Sequence, residues 1–368
     1  MSQRVNIGVI GVGMIGKSHL KRYQDLPDAN VVAVADLNEA EAKRVAAEFK
    51  VPDAYADFRA LLKRDDIQAV DVCLHNNLHA PVTIAAFEAG KHVYCEKPMA
   101  GSYVDAKAMY DAAQKTGKKL QIQMNTLYDP EHKIARRLIK EGHLGKVYYA
   151  RSFGFRRRGR PWVDGYGTPA FVNKQIAAGG ALFDMGIYHM AQVMDLLGNP
   201  DVLAVSGATY QELDMYADRA KSGNFSVEEM GLGHVRLKGG LTLVVEESWA
   251  VHYDGSEHSK ILGSKGGIKL SKPPVLYSKI GDVEYKAEIE LGHVDTRWRK
   301  CESDYEHYDS NEKHWLAALL GKVELYPTAA IAKNVALISE GIYLSQEQNR
   351  ELQAGEILER SKSTALKV

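Results

Sequence analysis

Cysteine, long apolar runs and a surplus of either charge are all scarce in this chain. Cys73, Cys95 and Cys301 are the only cysteines in 368 residues. They have no CxxC spacing and leave one over from any pairing, so no disulfide framework and no metal centre is expected. That usage fits a reducing compartment, the cytoplasm. No apolar run approaches the about 18 residues that a membrane-spanning helix requires. Lysine plus arginine equals aspartate plus glutamate at 47 each, so no overall field draws nucleic acid or an anionic membrane. Internal repeats and low-complexity tracts are lacking as well. Met1-Ser2-Gln3-Arg4 leads straight into the apolar residues 5–12, which include Asn6 and several glycines and precede no small-residue cleavage site. That pattern predicts a strand, not a signal peptide.

What remains is an ordinary globular composition, 45% apolar and 26% charged. A chain of this length exceeds what one core usually serves, which predicts two domains and a cleft between them. β-Branched runs at residues 5–10, 31–35, 69–74, 92–95 and 120–123 alternate with helical patterns at 15–24, 39–49, 80–89 and 103–115. This rhythm predicts an α/β domain, a doubly wound parallel sheet, over residues 1–125. The texture then changes. Asp129-Pro130 offers a cap and a first helical position for a helix running to Gly142. Strand-like runs follow at 147–155, 202–210, 230–237, 241–249 and 258–262, joined by glycine-rich turns. With helices at 180–197, 311–320 and 329–348, residues 126–368 read as an α+β domain on an open, mostly antiparallel sheet.

Three motifs carry chemistry. Gly11-Val12-Gly13-Met14-Ile15-Gly16 follows the first strand and opens a helix. Gly11 permits the turn, Gly13 lets the backbone approach a pyrophosphate, and Gly16 lets helix and sheet pack closely; the phosphates then sit at the positive helix N-terminus. Asp36 ends the second strand twenty positions after Gly16, where its carboxylate can accept bonds from both hydroxyls of the adenosine ribose. Asp36 would repel a 2′-phosphate, and Leu37 and Asn38 supply no cation for one, so NAD is expected rather than NADP.

The second motif is Cys95-Glu96-Lys97-Pro98, at the C-terminal edge of a parallel strand, where open α/β sheets bind ligands. Lys97 there can move a proton; the blander alternative is a solvated lysine paired with Glu96. The third is Gly179-Gly180-Ala181-Leu182-Phe183-Asp184-Met185-Gly186-Ile187-Tyr188-His189. On one continuous helix Asp184 and Tyr188 lie about 40° apart and share a face, whereas His189 is turned about 140° from Asp184. Gly186 inside that helix costs about 1 kcal/mol against alanine, which suggests that the cofactor or a neighbouring backbone comes close. A core helix whose aspartate caps its own first turn is the alternative.

In this order and spacing, over nearly the whole chain, these motifs resemble the Gfo/Idh/MocA family, which includes inositol dehydrogenases and glucose-fructose oxidoreductases. The likeness takes in the glycine turn, Asp36, Leu74-His75-Asn76-Asn77-Leu78-His79 (similar to the family's TPNxxH), Glu96-Lys97-Pro98, residues 142–147, the Asp184 helix and residues 315–343. It implies that Met14, Ile15, Leu74, Asn76, His79, Glu96, Lys97 and Asn125 join the glycines and Asp36 around the cofactor. Lys97 is then the catalytic lysine, Asp184 binds substrate or assists the proton, and the acid/base residue lies four positions beyond it. That position is Tyr188, not the usual histidine. Lys97 would have to lower the phenol's pKa for Tyr188 to act as a base. His75 replaces the motif's proline, and Thr126-Leu127 stands where an arginine is frequent.

Arg156-Arg157-Arg158-Gly159-Arg160-Pro161-Trp162 is similar to an RRxGIP-like segment of a family subgroup. It offers Arg158 and the Trp162 face to a sugar or an aglycone, or else it is an oligomer contact or a solvated basic strand. The reading as a whole is an NAD-dependent oxidoreductase acting on a secondary hydroxyl of a sugar, glycoside or cyclitol, with carbon 3 of a glucose-type ring as the first choice. Lys97, Asp184, Tyr188 and His189 form its catalytic and substrate-binding set, and it is expected to be a homo-oligomer. Two alternatives stand beside it: a glycosidase that oxidises its sugar transiently, and a non-catalytic NAD-binding sensor. The sensor would not need Lys97 or Asp184, and the chain has no basic DNA-reading appendage.

Overall fold

A computed structural model describes residues 4–302 and 305–368; Met1 to Gln3, the lead-in to the first expected strand, lie outside the described residues. Six strands, β1 (Val5–Ile10), β2 (Ala29–Ala35), β3 (Asp53–Tyr55), β4 (Ala69–Val72), β5 (His92–Cys95) and β6 (Leu120–Ile122), form an all-parallel sheet in the order β3-β2-β1-β4-β5-β6. The strands at its centre are apolar on both faces because helices cover both sides: Ile7, Val9, Val70, Val72, Val93 and Cys95 are all buried. β3 has only three residues, too few for a periodic signal. The chain order reverses beside β1, and the crevice between the C-terminal ends of β1 and β4 is where such sheets take a ligand.

Beyond β6 the chain builds a nine-stranded sheet, ordered β14-β13-β12-β11-β7-β10-β9-β8-β15. Its strands are β7 (Val147–Phe155), β8 (Val202–Tyr210), β9 (Met230–Leu237), β10 (Leu241–Ser248), β11 (Lys260–Gly263), β12 (Gly267–Lys269), β13 (Val275–Ile280), β14 (Val283–Glu288) and β15 (Leu352–Gln353). All neighbouring pairs are antiparallel except β7 with β10, which run parallel at the sheet's centre. That exception arises because the segment after β7 crosses over through the Asp184 helices before the β8-β9-β10 meander fills in beside it. One face of the sheet packs against helices Gly186–Leu196 and Thr328–Gln348, so Leu243, Val245, Val205 and Ile342 are buried together.

Asp129 stands at the N-cap of the helix Pro130–Lys140, but its side chain makes no cap bond. Late in the chain the helix Asn311–Leu319 returns to the first sheet, where Trp315 and Leu316 join Val5, Ile7 and Val9 in one cluster and Trp315 stacks on Tyr94. Among the described residues no helix is long and apolar enough to cross a membrane.

Candidate active site

The glycine turn has the shape its residues require. Gly11 takes a φ of +91° against the Cys73 backbone, and Gly16 packs so tightly on the Gly11 carbonyl that a methyl group could not enter. Gly13 differs: a Cβ there would meet nothing within 4 Å. Its backbone therefore faces open space at the start of the helix Met14–Gln24, with Met14 and Ile15 exposed in the first turn. Asp36 sits beside this opening, accepting from Val12 N at 3.0 Å and Asn38 N at 2.9 Å. An open anion-binding helix end with a fixed carboxylate next to it fits a dinucleotide whose ribose is unphosphorylated.

At the end of β5, Lys97 is not solvated and does not pair with Glu96. Its Nζ donates to Asp184 Oδ1 and to the Asp184 carbonyl, both at 2.9 Å, and lies 4.9 Å from the Tyr188 ring centre. The Lys97 side chain is only 14% exposed, so this pair is largely withdrawn from solvent. Burial pulls the Lys97 ammonium toward neutrality, but Asp184 and its hydrogen bond outweigh that and hold the pKa above the usual lysine range. Burial likewise raises the Tyr188 phenol, and here it outweighs Lys97, which draws the phenol down. The condition for Tyr188 to act as a base, a phenol lowered by Lys97, is therefore not met in the free chain: the ring is too enclosed for one nearby cation to make the phenolate favourable.

The single helix expected over residues 180–197 is broken. Ala181–Asp184 forms one turn and Gly186–Leu196 a second helix, with Met185 between them. Glu228 caps the first turn, accepting from Gly180 N at 2.7 Å and Leu182 N at 2.9 Å, and burial pushes its carboxyl up to about 7. The nearest group crowding Gly186 is a side chain, since a Cβ there would lie 2.8 Å from Glu247 Cγ, with the Ala181 carbonyl oxygen next at 3.3 Å. His189 faces away from Lys97, and its Nδ1 lies 2.8 Å from Glu247 Oε2. Against burial, which opposes its charge, Glu247 raises the His189 pKa above the ordinary imidazole value.

Two residues that the sequence reading passed over complete this arrangement. Glu247 and Trp249, two positions apart at the end of β10, are both 0% exposed. Trp249 Nε1 donates to Asp184 Oδ2 at 3.1 Å, so each Asp184 oxygen holds a different partner. Beneath Lys97 a buried ladder runs from Asp71 through His19 to Glu96, with contacts of 2.9 and 3.0 Å, and Glu96 accepts from Lys97 N at 3.0 Å. Glu96 thus holds the lysine's backbone and adds a smaller pull on its charge than Asp184 does.

Several expected cofactor residues spend their polar atoms inside the protein. His79 is buried between two backbone carbonyls, Nδ1 2.7 Å from Pro98 O and Nε2 3.0 Å from Leu74 O; burial lowers its pKa, and the neutral ring donates to one of them at a time, between the Leu74 and Lys97 loops. Asn76 donates to Ala177 O at 2.7 Å, and Asn125 accepts from Asn311 at 2.7 Å. The Arg156 loop borders the site through Gly159 N, which donates to Trp249 O. Its anchor is Arg160, fully buried between Asp164 and Glu229. Arg158 is exposed beside Asp164, while Trp162 lies against the Arg219 guanidinium at 4.0 Å and donates to Arg219 O at 2.9 Å. The Trp162 ring therefore has one face covered from within the chain.

Residues 5–124 match the family model described as the oxidoreductase family, NAD-binding Rossmann fold, and residues 132–269 match the GFO/IDH/MocA C-terminal domain. The chain belongs to the GFO/IDH/MocA oxidoreductase family. NAD is the cofactor of this GFO/IDH/MocA chain, and the two matches cover the glycine turn, Lys97, Asp184 and Glu247. D-glucoside 3-dehydrogenase of Escherichia coli is 28% identical over 314 residues, 83% of this chain and 88% of that protein. Inositol 2-dehydrogenase of Salmonella typhimurium is 27% identical over 266 residues, 72% of this chain and 73% of that protein. A structure of levoglucosan dehydrogenase in complex with NADH superimposes with a TM-score of 0.80 at 23% identity, covering 96% of this chain and 99% of that one. The last comparison shows the shared fold.

Proposed function

We propose that this NAD-dependent oxidoreductase oxidises a secondary hydroxyl of a sugar, glycoside or cyclitol, with carbon 3 of a glucose-type ring first among the candidates. The observation that carries the proposal is the withdrawn Lys97–Asp184 pair beside Tyr188, at the strand edge where the Rossmann crevice opens. The names of the relatives, a glucoside 3-dehydrogenase and an inositol 2-dehydrogenase, support the substrate class. Oxidised NAD supplies the hydride acceptor at C4 of its nicotinamide. In the free chain Lys97 is held as an ammonium, so its neutral amine must be formed before it can accept a proton. In that state Lys97 takes the hydroxyl proton, Asp184 keeps the Nζ aimed, and Tyr188 passes the proton onward through its phenol. The test is NADH formation screened over inositols, hexoses and glucosides. A nitrophenyl glucoside that releases its phenol with no net NADH would instead support the glycosidase reading.

Further parts of the reading rest on particular residues. Asp36 supports preference for NAD over NADP; Asp36→Ala is expected to narrow the affinity gap by about tenfold, the scale of one removed like-charge contact. Cofactor fluorescence titration checks this, and equal affinity of the unmutated protein for both dinucleotides would remove the argument from Asp36. Residues 1–125 act as the cofactor unit, supplemented by Trp315 and Leu316, and residues 126–368 as the substrate and assembly unit. The sheet face opposite the helices carries half-buried Tyr149, Leu232 and Val244, which suits a homo-oligomer. Light scattering on the eluting protein tests that assembly. Three free cysteines support a reducing, cytoplasmic setting.

A further inference from the structure

β10 obeys the two-residue period of a half-covered strand until its end: Leu243 and Val245 point into the core, and the next inward position is Glu247. A carboxylate there is fully withdrawn from water, which is costly unless its oxygens are matched. Both are matched. Oε2 lies 2.8 Å from His189 Nδ1, and Oε1 accepts from Ser152 Oγ at 2.7 Å. Two glycines make room for the pair. At Gly186 a side chain would meet Glu247 Cγ, and at Gly154 it would lie 2.6 Å from Glu247 Oε2 and against the His189 ring. The chain gives up a side chain on a helix and another on β7 to admit this one contact, which packing alone does not require.

We propose that Glu247 is a positioning residue that fixes His189 with its Nδ1 proton turned inward, leaving Nε2 to donate a hydrogen bond to a second substrate hydroxyl, apart from the one that Lys97 addresses. This rests on the sugar dehydrogenase reading and adds to it a residue that selects ring geometry. His189 is suited to that part. Its side chain is 29% exposed, its Nδ1 is committed to Glu247, and it lies on the side of its helix that faces Arg156 rather than Lys97. The charged and titratable groups around it are Glu247 on β10, Arg156 just after β7, and His258 ahead of β11. Glu247 favours the imidazolium and Arg156 opposes it, while burial and Lys269 keep His258 toward its neutral form. The charge of His189, and with it the ability of Nε2 to donate, therefore depends on Glu247.

The experiment compares Glu247→Gln with the unmutated protein, in two readouts. Imidazole resonances, assigned with His189→Gln, are followed against pH in the NAD complex without sugar. His189 is expected to titrate at lower pH in Glu247→Gln, and its neutral ring to carry the proton on Nδ1. An unchanged midpoint, or a neutral ring protonated at Nε2, overturns the proposal. In kinetics, KM for the sugar is expected to rise about tenfold with kcat within a few-fold, the signature of a lost binding contact. The rise of KM with pH should also begin at lower pH. A fall in kcat with KM unchanged would overturn it equally. If the unmutated protein oxidises no sugar or cyclitol, the proposed function and the substrate half of this inference fall together, whereas the titration still decides whether Glu247 governs His189.

Discussion

Lys97→Ala is expected to lower turnover by at least about a hundredfold while leaving NAD affinity within a few-fold, the pattern of a lost proton-transfer group rather than a lost binding contact. The geometry separates the two effects. The glycine turn and Asp36, which we propose take the dinucleotide's phosphate and ribose end, lie at β1 and β2, whereas Lys97 stands at the end of β5 with its Nζ committed to Asp184. Removing the ammonium leaves Asp184 with the Trp249 indole as its remaining partner, and that hydrogen bond should keep the carboxylate in place. Lys97→Arg is the sharper control. It keeps the charge, but a guanidinium cannot give up its proton near neutral pH, so it should be as slow as the alanine variant. If arginine restores turnover, Lys97 acts as a fixed charge and the proton leaves by another group. In the unmutated protein, oxidation should accelerate as pH rises, because Asp184 holds the Lys97 pKa up and the neutral amine must be formed before it can accept a proton.

How much of this was legible in the sequence depended on how far apart the cooperating residues lie. The glycine turn and Asp36 could be read because one strand-turn-helix-strand unit contains them. Asp184 and Tyr188 could be read because four positions bring residues onto one helical face, and their grouping around Lys97 survives the break at Met185. Glu247 and Trp249 were missed because their partners lie 58 and 65 positions away, and residues 241–249 read only as one strand of the open sheet. A signal was available: the period that turns Leu243 and Val245 inward turns Glu247 inward too, and an acid in that register needs a partner. The same holds for Asp71, an acid inside the fully buried strand β4, whose partner His19 lies 52 positions earlier. The motif places His79 at the cofactor; the fold adds what the motif does not show, a ring set between the Pro98 and Leu74 carbonyls. Trp162, which the sequence offers to a sugar or aglycone or else to an oligomer contact, has one face against Arg219 of the short helix Ala217–Gly223, a pairing 57 positions long that local spacing does not show.

The second large effect sets Tyr188 against His189, and the two substitutions should fail in different ways. Tyr188→Phe removes one hydroxyl and keeps a ring that packs under Lys97, so the protein should fold as before and lose about tenfold to a hundredfold in kcat. His189→Ala should cost less in chemistry but far more in stability. The sequence puts His189 in the catalytic and substrate-binding set, with a smaller loss expected for His189→Ala than for Tyr188→Phe and most of it from packing. The structure adds that Glu247 is fully buried with His189 Nδ1 on its Oε2, so the alanine variant leaves that carboxyl group in the core with Ser152 alone. Stranding one member of a buried pair typically costs about 3–5 kcal/mol. His189→Gln, whose amide can still donate to Glu247, should recover much of that loss without recovering a titratable group. Thermal denaturation of the three variants beside their kcat values decides the matter. Tyr188→Phe should keep the parental midpoint with reduced kcat, and His189→Ala should melt well below it. If His189→Ala keeps its midpoint and loses kcat more steeply than Tyr188→Phe, His189 is the proton carrier and the register that puts Tyr188 beside Lys97 is not the catalytic one.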